Sequence, residues 1–251
     1  GCAVLMHEAA HRTLFRTRAL NDAIGSWLCA YPVWSDLRAY RGYHLKHHAK
    51  TGSDEDPDLG LVTPFPITPA SLRRKVLRDL TGRTGLKFAR GSWRRSTGSP
   101  EARRVLRGML ISNAVLLGVL TLLGHPALYL LWIGAWFTTN TLVTRVRAIA
   151  EHAMTPDRND PLGNTRTTIA RWWERLLIAP NRVNYHLEHH LLMTVPHYAL
   201  PRMHRLLKER GVLEHACVAH GYPSVLRTAA SRVDAATPSV TEAPAPRVPP
   251  F

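Results

Sequence analysis

The sequence has little cysteine, few acidic residues and, over one long stretch, no charged residue at all. Its three cysteines, Cys2, Cys29 and Cys217, lie far apart, which excludes a disulfide framework and a CxxC metal-binding knuckle. Acidic residues number 18 against 33 Lys and Arg, which gives a net charge of +15. Hydrophobic residues make up 45% and charged residues 20% of the chain, a composition that excludes a wholly disordered chain and a collagen-like one.

The uncharged stretch covers residues 108–144. The turn signal at residues 124–126 (Gly-His-Pro) divides it into two apolar halves. Each half is slightly short for a bilayer, whose core needs about 20 helical residues, but Val105 and Leu106 can extend the first half backwards. We therefore predict a helical hairpin of two membrane spans, with a buried hairpin of a soluble protein as the alternative.

The distribution of positive charge orients this hairpin. Residues 71–107 contain twelve Lys or Arg against two acidic residues, and Arg145 and Arg147 follow the second half directly. Because Lys and Arg near spans stay in the cytoplasm, we predict that both ends of the hairpin are cytoplasmic. A basic stretch can also indicate nucleic acid, but this one adjoins apolar spans and has no binding motif, so we expect a membrane surface and no nucleic acid partner.

The remaining segments predict the domain organisation. Residues 1–6 are apolar and indicate the end of a span that begins upstream, and no signal peptide is visible. Residues 19–34 are too few for a full crossing and contain Asp22, which favours a re-entrant or interfacial helix. We predict one membrane domain over residues 1–235, followed by a disordered, proline-rich tail over residues 236–251.

Histidine is the residue type that indicates chemistry. Eight of the 14 histidines form three clusters, namely His7-Glu-Ala-Ala-His11, His44-Leu-Lys-His47-His48 and His186-Leu-Glu-His189-His190. On a helix, residues three and four apart share a face, and two HxxHH patterns stand against a chance expectation of about 0.04. Buried imidazoles need partners for their nitrogens, and a metal provides them; nitrogen-only ligation suits Zn, Cu, Fe or Ni.

The number of histidines predicts two ions. One tetrahedral zinc needs three or four ligands, so eight histidines are too many for one ion and suit two. His152 follows the second apolar half by about two helical turns and is a ninth candidate, whereas His125 lies in the turn across the membrane. The other histidines belong to no cluster and are interpreted as surface or capping residues: His197, His204, His215 and His220. The hairpin puts two spans between the second and third clusters, and residues 19–34 do not cross the membrane between the first and second. All three clusters are therefore predicted on the cytoplasmic side.

These three clusters, with a membrane hairpin between the second and third, resemble the three histidine boxes of the membrane fatty acid desaturase superfamily. Asp54-Glu-Asp-Pro-Asp58 after the second box fits the resemblance, as do Asn184-Tyr185 before the third box and Val195-Pro196 and Leu200-Pro201 after it. The resemblance extends from His7 to about His204. Three residues separate the histidines of the first box, as in the acyl-lipid and sphingolipid branches.

The resemblance implies an all-α fold: an integral membrane helical bundle with a cytoplasmic helical cap holding a di-iron site, of which this chain lacks the N-terminal spans. The implied iron ligands are His7, His11, His44, His47, His48, His186, His189 and His190, with His152 as the ninth. Six carboxylates are candidate acceptors for the free imidazole N–H groups: Glu8, Asp54, Asp56, Asp58, Glu151 and Glu188.

The implied reaction is an O₂-dependent oxidation of an unactivated C–H bond in a lipid, most simply the introduction of a double bond into a fatty acyl chain. Electrons would come from an external ferredoxin-like or cytochrome b5-like donor, since no haem-binding His-Pro-Gly-Gly motif occurs in the chain. Relatives with similar boxes act as hydroxylases or ketolases on a lipid or carotenoid, and this outcome remains open.

Two other functions fit part of the pattern. His7-Glu8-Ala-Ala-His11 also matches HExxH, the motif of zinc metalloproteases, in which Glu8 would be the general base. That alternative gives no role to the six histidines of the second and third boxes. The second alternative is a non-enzymatic membrane protein that stores or transfers metal. Such a protein does not require so regular a set of paired histidines.

Overall fold

The computed structural model describes residues 1–96 and 98–233, and it is mostly helical. The predicted tail, residues 236–251, lies outside the described residues. The α-helices are α1 (Cys2–Ala10), α2 (Arg18–Ile24), α3 (Leu37–Lys50), α4 (Leu59–Val62), α5 (Pro69–Leu80), α6 (Arg83–Ser96), α7 (Pro100–Leu122), α8 (Leu128–Phe137), α9 (Thr139–His152), α10 (Trp172–Leu177), α11 (His186–Leu191), α12 (Leu200–Glu209) and α13 (Tyr222–Ala229). A π-helical segment, Gly25–Ala30, and a 3-10 turn, Tyr31–Val33, follow α2.

The sequence predicted an all-α fold, but the structure also contains two short strands, which pair beside the third box. Strand β1 (Thr167–Ile169) lies parallel to β2 (Val218–His220), with Thr167 opposite Val218. The side chain of Asn184 donates to the carbonyl of Thr168 (3.0 Å), and the amide of Thr168 donates to the carbonyl of Asn184 (3.0 Å). The strand therefore fixes the chain immediately before α11.

The first arm of the predicted hairpin is α7, which begins eight residues before the uncharged stretch. Ser99 caps its N-terminus by accepting a hydrogen bond from the amide of Ala102 (3.1 Å), and Pro100 occupies a first-turn position that needs no N–H donor. Among the described residues, α7 is the one helix long and apolar enough to cross a membrane. The predicted turn is confirmed, since Gly124 adopts a left-handed φ of +81° between α7 and α8.

The second arm differs from the prediction of one continuous span. It breaks at Thr138 (φ −116°, ψ −83°), which leaves ten residues in α8 and 14 in α9, both fewer than the roughly 20 that a bilayer needs. The break coincides with a run of threonines. Thr138 and Thr139 donate their hydroxyls to the carbonyls of Gly134 (2.6 Å) and Ala135 (3.3 Å), and such back-bonding bends helices.

The segment predicted as a re-entrant or interfacial helix, residues 19–34, corresponds to α2, the π-helical segment and the 3-10 turn, which together cover residues 18–33 and pack between α1 and the hairpin. The carbonyls that end this segment receive side-chain donors from the hairpin, and that of Tyr31 also accepts from the amide of Trp34 (3.0 Å). Trp132 donates to the carbonyl of Pro32 (3.0 Å), Trp136 to that of Val33 (2.7 Å), and Asn113 to that of Tyr31 (3.0 Å). These bonds attach the hairpin to the part of the chain that carries the first two boxes.

Two apolar clusters and one buried ion pair hold the helices of the cap together. Ile149 of α9 packs with Tyr222 of α13 in the larger cluster, and Met6 of α1 packs with Leu37 of α3 in the smaller one. The carboxylate of Asp79 on α5 is fully buried and pairs with Arg145 on α9. The cap is thus assembled around α1, α3, α9 and α11, the helices that contain the predicted ligands.

Candidate metal centre

Nine histidines converge into two adjacent groups; eight lie in α1, α3, α9 and α11, and His11 directly follows α1. The first group contains His7, His11, His44, His48 and His189, and the second contains His47, His152, His186 and His190. Within each group, one ring nitrogen from every histidine lies within 4.8 Å of the others. The set is the one predicted from the boxes together with His152, and the structure brings all nine residues together.

Each HxxHH box is divided between the two groups. In α3, His44 and His48 are four residues apart and join the first group, whereas His47 faces the second. In α11 the assignment is reversed, because His186 and His190 join the second group and His189 the first. Residues four apart in a helix lie nearly above one another, while consecutive residues such as His47 and His48 are rotated by about 100° relative to each other. A helix with this pattern can therefore contribute to two neighbouring sites.

The ring nitrogens of each group face one another across a short gap. In the first group, the Nε2 atom of His48 lies 3.1 Å from that of His44 and 3.0 Å from that of His189. In the second, the Nε2 atom of His152 lies 3.2 Å from that of His47 and 2.8 Å from that of His186. Neutral imidazoles cannot all satisfy one another as donor and acceptor, so several lone pairs point toward a common centre in each group.

Seven of these histidines have a lowered pKa, which favours the neutral ring that a metal binds. Burial and the neighbouring imidazoles lower the pKa of His48 to about 2 and the pKa of His11 and His152 to about 3. The same causes hold the pKa of His44, His186, His189 and His190 well below the usual range. Both ring nitrogens of His7 and of His11 are buried without a hydrogen-bond partner. A metal binds neutral imidazoles and would satisfy these nitrogens, so the residues present fit two metal ions.

Three of the predicted carboxylates lie beside a ligand candidate. Asp56 is 2.8 Å from the Nδ1 atom of His47. Glu8 lies 3.6 Å from the Nδ1 atom of His7. Glu151 forms an ion pair with Arg147 and lies 3.9 Å from the Nδ1 atom of His186.

Of the other three predicted carboxylates, Asp58 also lies within 4 Å of a ligand candidate, whereas Asp54 and Glu188 contact other residues. The prediction that Asp54 accepts a hydrogen bond from a ligand imidazole is corrected, because its side chain is 99% exposed and pairs with Arg158 at the surface. Asp58 binds the hydroxyl of Tyr43 and lies farther from His47 (3.7 Å) than Asp56 does. Glu188 is buried and directly precedes His189 in the sequence, but its oxygens contact Thr167 and His204.

Two histidines interpreted as surface or capping residues have a different role in the structure. The amide and the Nδ1 atom of His197 contact Glu8 at 3.1 and 3.2 Å, and the Nδ1 atom of His204 contacts Glu188 at 2.6 Å. The sequence gives no sign of either contact, because neither histidine belongs to a spaced pattern. Their partners are settled only when the segment after the third box packs against α1 and α11.

Comparison with known proteins identifies the family of this chain. A model of the fatty acid desaturase family matches residues 1–223. Dihydrorhizobitoxine desaturase from Bradyrhizobium elkanii is 26% identical over 82% of this chain and 63% of its own length. The sn-1 oleoyl-lipid 12-desaturase from Synechocystis sp. is 26% identical over 83% of this chain and 65% of its own length. This chain thus spans slightly less than two thirds of the length of the two curated relatives. Because the family match includes all nine converging histidines, the chain belongs to the fatty acid desaturase family.

Proposed function

We propose that this chain contains the active site of an O₂-dependent membrane enzyme that oxidises an unactivated C–H bond of a lipid, most simply introducing a double bond into a fatty acyl chain. The observation that supports the proposal is the pair of adjacent, buried imidazole groups. Two iron ions held by these groups would supply the redox chemistry for O₂ reduction and hydrogen abstraction. Removal of two hydrogens from the substrate, with two electrons and two protons from outside, reduces one O₂ to two waters.

The residues of the chain would hold, orient and shield this chemistry. The nine imidazoles would fix two ions side by side. Asp56 lies within hydrogen-bond distance of the Nδ1 atom of His47 (2.8 Å), which keeps that ring oriented and raises its basicity, and Glu8 faces the Nδ1 atom of His7 at 3.6 Å. Electrons would come from a ferredoxin-like or cytochrome b5-like protein. The hairpin and the basic stretch before it support an integral membrane location with the active site facing the cytoplasm.

A pocket beside the first imidazole group fits an apolar substrate chain. It has a volume of about 580 Å³ and is lined by Trp34, Tyr40, Phe88, Val105, Met109 and Trp136, among others. The ring of Tyr40 stacks on that of His44, with centroids 5.2 Å apart and an interplanar angle of 10°. A second pocket of about 340 Å³ shares Trp34, Met109 and Trp136 with the first. We infer that an acyl chain lies along these pockets and reaches the metal centre at Tyr40.

Filling this pocket is expected to reduce turnover without affecting the metal. Val105→Trp adds a bulky ring to the pocket wall, which displaces the substrate and lowers kcat/KM by about tenfold or more, while bound iron stays unchanged. The matched control is Val115→Trp on the exposed part of the same helix, for which activity should remain at the wild-type value. Equal activity of the two variants would place the substrate elsewhere.

Lipid analysis of a host that expresses the complete protein tests the reaction itself. A new species lighter by about two mass units than its parent would establish desaturation and identify the lipid. Species heavier by about 16 or 14 units would instead indicate a hydroxylase or ketolase acting on a lipid or carotenoid. One relative is named for dihydrorhizobitoxine and the other for an oleoyl lipid, so small metabolites are profiled alongside the lipids. Absence of any new oxidised product in hosts that supply lipids, carotenoids and the electron donor would refute the proposal.

A zinc metalloprotease is disfavoured by the contacts of the HExxH motif. Its histidines, His7 and His11, lie within a group of five imidazoles rather than alone with a third ligand. Glu8, the required general base, already receives hydrogen bonds from Thr13 (2.9 Å) and His197 (3.2 Å). A carboxylate held in this way is not free to activate a water molecule.

A further inference from the structure

Two histidines outside the boxes each hold a buried carboxylate that lies inside a box. The Oε2 atom of Glu8 contacts both the amide and the Nδ1 atom of His197, and its side chain is only 4% exposed. The Oε1 atom of Glu188 contacts the Nδ1 atom of His204 and its side chain is fully buried. Both histidines are themselves partly exposed, at 24% and 16%, so they lie between the carboxylates and the surface.

The two carboxylates act on different parts of the metal centre. The second oxygen of Glu8, Oε1, faces the Nδ1 atom of His7 at 3.6 Å. The second oxygen of Glu188 binds the hydroxyl of Thr167, and Thr167 in turn accepts a hydrogen bond from the amide of Leu187 (3.3 Å). One carboxylate therefore adjoins a ligand ring directly, while the other secures the first turn of α11.

One short segment of the chain contains both His197 and His204. His197 lies in the 3-10 turn His197–Ala199, which leads directly into α12, where His204 lies. The segment, residues 196–209, is thus attached to α1 through Glu8 and to α11 through Glu188. The first imidazole group requires His7 and His11 near α1 to meet His189 of α11. A connection between α1 and α11 at this place sets the distance between them.

We propose that His197 and His204 are positioning residues, which hold Glu8 and Glu188 so that the first and third histidine boxes keep the geometry of the metal centre. The inference rests on the proposed iron centre. Without the imidazole of His197, Glu8 loses the Nδ1 donor and the ring that covers it, and it keeps only the backbone amide of residue 197 and the hydroxyl of Thr13. Its carboxylate is then held less firmly beside His7. Loss of outer hydrogen bonds of this kind typically weakens metal binding by about 10–100-fold.

The test uses the complete protein loaded with iron and measures iron release to a ferrous chelator. His197→Ala and His204→Ala should each release iron about 10–100-fold faster than the wild type. His197→Asn and His204→Asn keep an N–H donor near the position of Nδ1, and they should restore most of the wild-type rate. The matched controls are His215→Ala and His220→Ala, whose side chains are exposed, and they should release iron at the wild-type rate.

A double-mutant cycle separates positioning from general destabilisation. If His197 acts through Glu8, then His197→Ala should change iron release little further when Glu8→Gln is already present. Mössbauer spectra should show the change at one of the two iron sites in the His197 variants, because Glu8 adjoins only the first group. If His197→Ala does not fold, His197→Leu takes its place in the cycle, because leucine keeps much of the bulk of the side chain without a donor.

Two results would overturn the inference. The first is iron release at the wild-type rate in both alanine variants, and the second is an effect of His197→Ala that is fully additive with Glu8→Gln. Failure of the proposed function has a different signature, since the wild-type protein itself would then not bind about two irons. The wild-type iron content is therefore measured before any variant.

Discussion

His189→Ala and His47→Ala are each expected to abolish activity and to reduce bound iron from about two ions per chain to one or none. The two substitutions address different groups, since His189 belongs to the first and His47 to the second. His189 lies 3.0 Å from the Nε2 atom of His48, and His47 lies 3.2 Å from that of His152. Each removal deletes a ligand candidate from a mostly buried group of imidazoles.

The measurement is iron content by elemental analysis together with product formation from the identified substrate. His215→Ala is the control, because His215 is exposed and should retain both iron and activity. Activity in either ligand variant at the wild-type level would refute the assignment of the metal centre. A variant that keeps one iron but loses all activity would show that both ions are needed.

Removal of the metal is expected to destabilise the protein strongly. Both ring nitrogens of His7 and of His11 are buried without a hydrogen-bond partner, as are single nitrogens of His152, His186 and His190, so removal of a bound metal would leave them unsatisfied. Buried polar groups without partners oppose folding, and a ligand at about a thousand times its Kd stabilises by about 4 kcal/mol. For a chain of this size, that corresponds to a rise in Tm on the order of 10 °C.

Thermal unfolding in detergent, with and without a strong chelator, measures this difference. Addition of ferrous iron to the metal-free protein should restore the higher Tm. The double variant His47→Ala/His189→Ala is the matched control, and chelation should leave its Tm unchanged, since it lacks a ligand in each group. Equal Tm values for the wild type with and without metal would mean that the histidine groups are satisfied in some other way.

Much of the metal centre was predictable because its residues are regularly spaced along the chain. The HxxHH pattern makes several imidazoles available on one helix, and α3 and α11 form where the pattern predicts them. The turn of the hairpin was also predictable, since Gly124 adopts the left-handed conformation that glycine tolerates. These features depend on neighbours within a few residues, which the sequence contains directly.

The break in the second arm of the hairpin was not predicted, because apolar composition alone does not distinguish a continuous helix from an interrupted one. The threonine run at Thr138–Thr141 provides hydroxyls that compete for backbone carbonyls, and their effect depends on the packing around them. Gly85 shows the same dependence on packing, since any Cβ there would lie 2.5 Å from the carbonyl oxygen of Phe137. Close contact with α6 therefore accompanies the break.

The sequence by itself determined which side chains bind metal in our proposal, because helical periodicity alone brings the histidines of each box onto neighbouring faces. Only the tertiary structure decided how these histidines divide between two groups and which residues support them. Glu8 and His197 are 189 residues apart in the chain, and His47 and His152 are 105 apart. Contacts over such separations arise from the packing of whole helices, so no local pattern encodes them.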